Sequence, residues 1–343
     1  MLPRIPSKLS LASTPTPLRL LTRASKHLGG PNIWLKCDDL TSASMTGNKV
    51  RKLEFLLADA IDQGADTIIT CGGLQSNHCR ATAIACAQLG LKCILILRDN
   101  TDQQGPRTTG QGNFLLDQLV GADIKIIDAA HYQQRLPELF KWFESSCIKE
   151  GGTPYSIPTG GSSGVGLWGY LTAFEELKKD FIQHQIQPEY IFCASGSGGT
   201  QAGLTLGAHL NRSPASIIGV AVCDSAAYFD KKIKRDIAQW RDVYFTDTNI
   251  PPTFFDNLLT SIKIKTLDQY IGPGYALPYD DMLVTLKWLA QTEGVILDPV
   301  YTGKAFHGML CEIQAGRFAD AKDIVFVHTG GIFGAFPYAS SLI

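Results

Sequence analysis

Hydrophobic residues along the chain alternate between two spacings, one typical of buried strands and one typical of helices with a single apolar face. From Asn48, apolar positions recur every three or four residues until Gly64, which predicts a helix. The short apolar run at 67–71 then resembles a buried parallel strand. A second helix over about 77–89 and a strand over 92–97 follow. Together these segments predict one β-α-β unit.

The same alternation continues through most of the remaining chain. Helix and strand pairs are predicted at about 113–120 and 124–128 and at about 133–148 and 154–158. Later helices are predicted at about 165–180, 201–210, 279–292 and from 303, with strands at 190–194, 217–222, 295–297 and 324–327. The stretch from 226 to 275 gives no clear pattern. Alternating strands and helices are typical of parallel sheets covered by helices on both faces.

The length of 343 residues exceeds one ordinary domain, so about two domains are expected. A Gly/Ser-rich stretch at 159–164 interrupts the alternation and marks a crossing between them. We therefore predict an α/β protein with two domains, each an open twisted parallel sheet flanked by helices. Residues 1–51 and 159–343 would form the large domain, and residues 52–158 the small one.

Composition disfavours several classes of function. The formal net charge is −1 with acids and bases interspersed, so no surface suits nucleic acid or an anionic membrane. No segment approaches about 18 consecutive apolar residues, and the N-terminal residues lack the apolar run of a signal sequence. The nine cysteines contain no C-x-x-C pair, and the seven histidines lack metal-ligand spacing. We expect a cytoplasmic protein with free cysteines and no metal.

The helix predicted from Asn48 begins with an unusual concentration of positive charge. Lys49, Arg51 and Lys52 lie in its first turn, where cations oppose the helix dipole. A bound anion would offset this cost, and a lysine amine with a lowered pKa can act as a nucleophile. The alternative is that the three side chains form an ordinary solvated helix face.

A glycine-rich stretch at 195–201, Ser-Gly-Ser-Gly-Gly-Thr-Gln, lies between a predicted strand and a predicted helix. Backbone N–H groups that converge at such a helix N-terminus can bind a phosphate. The alternative is a merely tight turn. The stretch lacks both the Gly-Lys-Ser/Thr of a Walker A loop and the third glycine of a dinucleotide-binding motif.

Other polar motifs also follow predicted strands. Ser-Asn-His at 76–78 follows the strand at 67–71, although helix capping would equally explain its serine or asparagine. Asp-Pro-Val-Tyr-Thr-Gly-Lys at 298–304 follows a later strand, and Tyr275 lies in a Gly-Pro-Gly-Tyr turn. Because the carboxyl ends of parallel strands meet at one edge of a sheet, we expect these groups to share a pocket.

Four of these motifs occur in the order known from one enzyme family: Gly-Asn-Lys-x-Arg-Lys-Leu-Glu at 47–54, Gly-x-Gln-Ser-Asn-His at 73–78, Gly-x-Gly-Gly-Thr-Gln-Ala-Gly at 196–203 and Asp-Pro-Val-Tyr-Thr-Gly-Lys at 298–304. Over essentially its whole length the chain resembles the 1-aminocyclopropane-1-carboxylate deaminase/D-cysteine desulfhydrase family. Those enzymes use pyridoxal phosphate and have the fold of the tryptophan-synthase β-subunit (fold type II). The resemblance implies the same cofactor, a small amino-acid substrate and a homodimer.

The resemblance also implies roles for individual residues. Lys49 would bind the cofactor covalently and later move a proton, and Asn77 would hydrogen-bond its 3′-oxygen. The phosphate would be held by one lysine and by the glycine-rich loop, through Lys52, Ser197, Gly198, Gly199 and Thr200. The substrate would lie beside Ser76, Tyr275 and Tyr301 as hydroxyl donors or acid/base groups.

Residue 302 distinguishes the two activities of the family. The deaminase branch has a glutamate there, which keeps the pyridine nitrogen of the cofactor protonated, whereas this chain has Thr302. A neutral hydroxyl stabilises a pyridinium less than a carboxylate does, which favours loss of a good β-leaving group over ring opening. We therefore expect β-elimination from a D-amino acid such as D-cysteine. The alternatives are a 1-aminocyclopropane-1-carboxylate deaminase and, in another class, a non-catalytic protein that binds a phosphate ligand.

Overall fold

The computed structural model describes residues 4–99, 110–245 and 259–343, which form two helix-covered sheets of six and four strands. The strands in the described part are β1 (Leu18–Leu20), β2 (Asn32–Lys36), β3 (Thr67–Gly73), β4 (Lys92–Asp99), β5 (Asp123–Asp128), β6 (Pro154–Ser156), β7 (Tyr190–Ser195), β8 (Ser216–Ala221), β9 (Lys265–Leu267) and β10 (Asp323–Val327). The longer helices are α1 (Thr22–Leu28), α2 (Asn48–Asp62), α3 (Asn77–Leu89), α4 (Gly112–Leu119), α5 (Ala129–Lys149), α6 (Trp168–His184), α7 (Gly199–Leu210), α8 (Ala226–Tyr244), α9 (Asp280–Glu293) and α10 (Thr302–Gln314). Shorter helical turns lie at Asp38–Leu40, Thr159–Gly161, Ile332–Gly334, Phe336–Tyr338 and Ala339–Leu342.

Almost all strand pairing in the described residues is parallel. The large sheet has the order β1-β2-β10-β7-β8-β9 and the small sheet the order β5-β4-β3-β6. Only the edge pair β1–β2 is antiparallel among the described pairs. In the large sheet, Phe326 lies beside Leu35 on one side and Phe192 on the other. The predicted architecture of open parallel sheets flanked by helices is therefore confirmed, with one antiparallel edge strand added.

Each sheet is buried by apolar side chains from its own helices. Phe306 and Met309 of α10 pack with Phe326 in the core of the large sheet. Leu56 of α2 packs with Leu95 in the core of the small sheet. Helix α2 also contributes Phe55 to a third apolar cluster with α6, α7 and α8. It therefore packs both in the core of the small sheet and against helices that follow it in the chain.

The strand predicted at 295–297 is wrong. These residues lie after α9 but are not paired in either sheet. Val295 and Leu297 are buried, Ile296 is exposed, and the Ile296 carbonyl accepts a hydrogen bond from His328 Nε2 at 3.2 Å. The alternating burial of a strand is thus present, but a side chain takes the place of the neighbouring strand.

The stretch from 226 to 275, which gave no clear prediction, contains α8 and β9, while residues 246–258 lie outside the described part. The buried apolar face of α8 consists of residues that recur at helical spacing: Phe229, Ile233, Ile237 and Trp240. This spacing is visible in the sequence, so the helix could have been predicted there.

The strands divide between the sheets in sequence blocks. All four strands of the small sheet lie between Thr67 and Ser156, and the six strands of the large sheet lie outside that interval. Helix α2 continues across the predicted boundary between residues 51 and 52. The exact domain boundaries stay a prediction.

No helix in the described residues combines the length and the apolar composition needed to cross a bilayer. No cluster of three or more His, Cys, Asp or Glu side chains suited to a metal ion occurs in the same part of the chain. All nine cysteines lie in the described ranges and are free thiols.

Helix α2 is held in place by a buried ion pair on one side of its first turn. The Arg51 guanidinium donates to both carboxylate oxygens of Asp38, at 2.8 and 3.0 Å, and to both of Glu176, at 2.9 and 3.0 Å. Lys36 and Tyr170 extend the network, since they bind Glu176 and Asp38 respectively. Bidentate pairs of this kind fix orientation as well as position.

We predict that Arg51→Met destabilises the protein strongly. The substitution leaves the Asp38 carboxylate buried without its cation, which costs about 3–5 kcal/mol of unfolding free energy. The matched control is Arg135→Met, because the Arg135–Glu138 pair is exposed and contributes less than about 1 kcal/mol. Thermal and urea unfolding of the two variants measures the difference, and equal losses would show that the buried pair does not anchor the helix.

Candidate active site

A cavity of about 710 Å³ lies where strand ends from both sheets come together. On the small sheet, Gly73 and Arg98 lie at the ends of β3 and β4 and form part of its wall. On the large sheet, Gly196, Cys223 and Thr329 follow β7, β8 and β10 and form another part. Open α/β sheets bind their ligands at this edge, so the cavity is the candidate active site.

The first turn of α2 directs Lys49 and Lys52 to the same backbone oxygen. Their Nζ atoms lie 3.3 and 3.2 Å from the Gly160 carbonyl. Gly47 precedes the helix with φ 97°, and a Cβ there would lie only 2.4 Å from the Thr329 carbonyl oxygen. Glycine is therefore required at residue 47, because it lets the start of α2 contact the end of the large sheet.

Burial lowers the pKa of both amines and so disfavours their protonated, positively charged forms. It lowers the pKa of Lys49 to about 8, although part of the side chain is open to the cavity. Burial, together with the cations of Lys49 and Lys232, lowers the pKa of Lys52 well below its ordinary value. Lys232 donates to the Ser162 carbonyl at 3.3 Å and pairs with Asp236. Three amines and one carboxylate thus meet here, which suits an anionic ligand.

The glycine-rich loop closes around the same point. Gly198 has φ 81° and precedes α7, and the Gly199 N–H donates to Ser162 Oγ at 3.1 Å. A Cβ on Gly199 would lie 2.5 Å from Ser162 Oγ and 2.7 Å from Lys52 Nζ. Ser162 Oγ in turn donates to Ser197 Oγ at 2.8 Å. The loop, the helix dipole and the lysines therefore converge on one small volume.

Thr200 connects this loop to the lysine helix. Its Oγ1 accepts a hydrogen bond from Asn48 Nδ2 at 2.8 Å, so the first turns of α2 and α7 are joined directly. Helix N-termini with glycines before them bind phosphate groups through their free N–H groups. The donors, the cations and the absence of a side chain at Gly199 all fit a phosphate at this place.

Ser76 and Asn77 begin helix α3 at the cavity wall. Ser76 Oγ accepts from the Cys79 N–H at 3.2 Å, so the capping interpretation is confirmed for the serine. Asn77 Oδ1 accepts from Arg80 Nη1 at 3.2 Å and from Asn113 Nδ2 at 3.1 Å. With its oxygen engaged, Asn77 offers the cavity its amide NH₂, which is a hydrogen-bond donor.

His78 is neutral at this site. Its Nε2 bonds to Thr70 Oγ1 at 2.8 Å, and because that hydroxyl donates to the Ile157 carbonyl, the imidazole must be the donor. Burial and the nearby Lys49 and Lys52 cations lower its pKa well below the ordinary value. Its Nδ1 has no hydrogen-bond partner among the described residues. The hydrogen-bonding capacity of His78 is therefore satisfied at only one of its two ring nitrogens.

Tyr275 and Tyr301 form a hydrogen-bonded pair of hydroxyls on the cavity wall. Burial raises the pKa of both phenols, so both are protonated near neutral pH. Lys304 anchors the turn before Tyr275, because its Nζ donates to the Ile271 carbonyl at 2.7 Å and to the Gly274 carbonyl at 2.6 Å. The tyrosine pair is thus held by α10.

Thr302 lies behind Tyr301 and is fully buried rather than part of the cavity wall. Its Oγ1 donates to Asp298 Oδ1 at 2.6 Å and accepts from the Asp298 N–H at 3.0 Å. The Asp298 carboxylate also accepts three backbone N–H groups, from Val300, Tyr301 and Thr302. The hydroxyl therefore stabilises the start of α10, and its predicted role beside the cofactor ring stays a prediction.

The structure brings nearly all the other predicted residues to one cavity. Those on its wall are Lys49, Ser76, Asn77, Ser197, Gly198, Thr200, Tyr275 and Tyr301. Lys52 and Gly199 lie directly behind the wall, where both contact the Ser162 hydroxyl.

Several residues of the cavity were missed in the sequence, and three of them are polar groups close to the predicted site residues. Ser162 belongs to the Gly/Ser-rich stretch that was interpreted only as a domain crossing, yet that stretch follows β6 as the other loops follow their strands. Lys232 lies on the unpredicted helix α8. Arg98 is the next-to-last residue of β4, and its guanidinium lies 5.1 Å from the centre of the Tyr275 ring. Ser162 and Arg98 follow the strands predicted at 154–158 and 92–97, so their positions could have revealed them, whereas Lys232 carried no such signal.

Comparison with known proteins extends the picture to the whole chain. Residues 9–330 match the family model described as pyridoxal-phosphate dependent enzyme. A Thermotoga maritima protein, provisionally named a 1-aminocyclopropane-1-carboxylate deaminase, is 40% identical over 98% of this chain and 100% of its own length. A Klebsiella pneumoniae protein named D-cysteine desulfhydrase is 39% identical over 96% of each chain.

A solved structure supports the same assignment. A crystal structure described as an ACC deaminase homologue superposes with a TM-score of 0.83 at 32% identity, over 98% of this chain and 95% of that chain. The glycine-rich loop at 195–201, the buried amine of Lys49 and the neighbouring amines of Lys52 and Lys232 fit the cofactor of such enzymes. The chain belongs to the pyridoxal-phosphate dependent enzymes of fold type II, in the group that contains 1-aminocyclopropane-1-carboxylate deaminases and D-cysteine desulfhydrases.

Proposed function

We propose that the protein is a pyridoxal-phosphate dependent carbon–sulfur lyase that acts on a D-amino acid, with D-cysteine as its substrate. D-Cysteine and water would give pyruvate, ammonia and hydrogen sulfide. The observation that carries the choice is the neutral residue after Tyr301. Thr302 donates its hydroxyl to Asp298, so this position supplies no negative charge to the cofactor.

The reasoning follows from how charge is distributed during the reaction. Bound pyridoxal phosphate withdraws electrons from the substrate Cα. Without a carboxylate at residue 302 to stabilise a protonated ring nitrogen, less charge can be stored in the ring. Loss of a thiolate from Cβ needs less such storage than opening an unactivated cyclopropane does. Elimination is therefore the better match to Thr302.

The residues of the cavity divide the remaining work. Lys49 would bind the cofactor covalently and carry the proton at the substrate Cα, since burial gives its amine a pKa of about 8. Lys52 and the loop residues Ser197, Gly198, Gly199 and Thr200 would hold the phosphate. Asn77 would donate its amide N–H to the 3′-oxygen of the cofactor.

The substrate groups would be placed by the hydroxyls of Ser76, Tyr275 and Tyr301. Ser76 begins α3, so a carboxylate beside it would also meet the free N–H groups of that helix. The tyrosine pair shares one hydrogen bond, so one hydroxyl remains free to donate a proton towards the cavity. This arrangement would supply a hydrogen-bond donor to the leaving thiolate.

Two alternatives are weaker. The deaminase alternative is favoured by the provisional name of one relative, but it is opposed by Thr302. The non-catalytic phosphate-binding alternative loses its support because the family match spans residues 9–330, far beyond the glycine-rich loop.

We also propose that the protein is a cytoplasmic homodimer. Free cysteines, seven of them buried, are typical of a reducing compartment. The dimer rests on the family resemblance alone, and light scattering of the purified protein tests it directly.

The substrate is predicted as follows. The protein loaded with cofactor should release pyruvate and sulfide from D-cysteine and should act more slowly on L-cysteine. It should form little 2-oxobutyrate from 1-aminocyclopropane-1-carboxylate. β-Chloro-D-alanine, which has another good leaving group, serves as the positive control for elimination. Faster formation of 2-oxobutyrate than of pyruvate would overturn the proposed substrate in favour of the deaminase.

The pKa of Lys49 predicts how cofactor attachment depends on pH. Only the neutral amine attacks an aldehyde, and a pKa of about 8 leaves about a tenth of the amines neutral at pH 7. The initial rate of attachment to the cofactor-free protein, followed by absorbance, should rise about tenfold from pH 6 to pH 7 and level off above about pH 8.

Lys49→Ala is the negative control and should give no borohydride-fixed adduct. Lys125→Ala, which removes a partly exposed lysine of β5, should attach cofactor like the unaltered protein. An attachment rate that still rises tenfold between pH 8.5 and 9.5 would indicate an ordinary lysine pKa and contradict the prediction.

A further inference from the structure

Arg80 of α3 joins the two chain segments that carry the amine and the amide of the active site. Its side chain is fully buried. Nη2 donates to the carbonyls of Met45 and Thr46, at 2.8 and 3.0 Å, just before the turn that leads to Lys49. Nη1 donates to Asn77 Oδ1 at 3.2 Å. One guanidinium thus contacts both the segment before Lys49 and the side chain of Asn77, without itself lining the cavity.

The charge of Arg80 is not explained by an ion pair. Its hydrogen-bond acceptors in the described part of the chain are neutral and include Asn113 Oδ1 at 2.5 Å. Asp117 is the nearby acid, but neither of its carboxylate oxygens has a hydrogen-bond partner in the described part of the chain. Burial raises the pKa of Asp117 to about 8, so it is protonated near neutral pH. A buried guanidinium among neutral acceptors costs free energy, which points to a role other than stability.

The contact with Asn77 has a direct consequence for the orientation of its amide. A side-chain amide can rotate by half a turn and exchange its oxygen and nitrogen. Arg80 has donors only, and both Arg80 Nη1 and Asn113 Nδ2 donate to the same Asn77 oxygen. The rotated amide would place NH₂ against two donors. Asn77 is therefore restricted to presenting its NH₂ to the cavity.

We propose that Arg80 is a positioning residue that fixes the Asn77 amide and the turn before Lys49 in the geometry that pyridoxal phosphate requires. The inference rests on the proposed role of Asn77 as donor to the 3′-oxygen of the cofactor. It does not depend on which amino acid is the substrate. Its test therefore uses cofactor binding and absorbance, whereas the substrate is tested by product analysis.

The test compares Arg80→Met, Asn77→Ala and the double variant. Arg80→Met should weaken binding of pyridoxal phosphate about tenfold or more and shift the absorbance maximum of the bound cofactor, because the amide is free to rotate. Asn77→Ala should produce a shift in the same direction. If Arg80 acts through Asn77, the two losses of affinity should not multiply. The double variant should bind pyridoxal phosphate only slightly more weakly than whichever single variant has the lower affinity.

Arg80→Lys provides a second variant if the methionine protein does not fold. Lysine keeps the charge but cannot reach both segments with a planar set of donors, so the absorbance shift should persist. The matched control is Leu177→Ala, which removes a buried side chain from the core behind the large sheet. It should lower the unfolding temperature but leave cofactor affinity and absorbance unchanged.

Three results would overturn the inference. Equal weakening by Leu177→Ala would show a general effect of stability. A double variant whose loss equals the product of the single losses would show that Arg80 acts independently of Asn77. Unchanged absorbance in Asn77→Ala would remove the role of Asn77 itself, and the proposed lyase activity would still be decided separately by the pyruvate and sulfide assays.

Discussion

Placing three cations in the first turn of α2 is the constraint on which the rest of the structure depends. The helix dipole disfavours positive charge at that end, so each cation needs a partner. Arg51 finds its partners in Asp38 and Glu176 on the side of the large sheet. Lys49 and Lys52 instead point to the Gly160 carbonyl beside the cavity, with little negative charge near them. The first turn of α2 thus carries one residue that fixes the helix in place, Arg51, and two that lie beside the cavity, Lys49 and Lys52.

The proposed anion site lies where loops from distant parts of the chain approach one another closely. Gly47 contacts the end of β10, and Gly199 contacts Ser162 and Lys52, at distances that a Cβ would prevent. Both approaches occur at the carboxyl ends of parallel strands. Parallel topology therefore explains why a lysine near residue 50, a loop near 198 and a serine at 162 lie side by side, as the proposed phosphate site requires.

The segment at 298–304 caps helix α10 and also positions two tyrosines on the cavity wall. Asp298 is fully engaged by the backbone at the start of α10 and by the Thr302 hydroxyl, so burial of its carboxylate is compensated. The same helix positions Tyr301 on the cavity wall and, through Lys304, the turn of Tyr275. Thr302, on which the proposed choice of activity rests, is thus part of a capping network, and the two tyrosines of the cavity wall depend on the same network.

The sequence by itself determined the alternation of strands and helices, the lysine helix from Asn48 and the glycine-rich turn at 195–201, because these depend on local periodicity and on glycine positions. It misled at 295–297, where alternating burial occurs without a neighbouring strand, and helix α8 was missed despite its clear spacing. Only the tertiary structure decided that Arg51 pairs with Asp38 and Glu176, that Ser162 and Lys232 lie on the cavity wall and that Arg80 contacts Asn77. Those contacts join residues far apart in sequence or depend on which side chains share a buried space, and no local pattern specifies them.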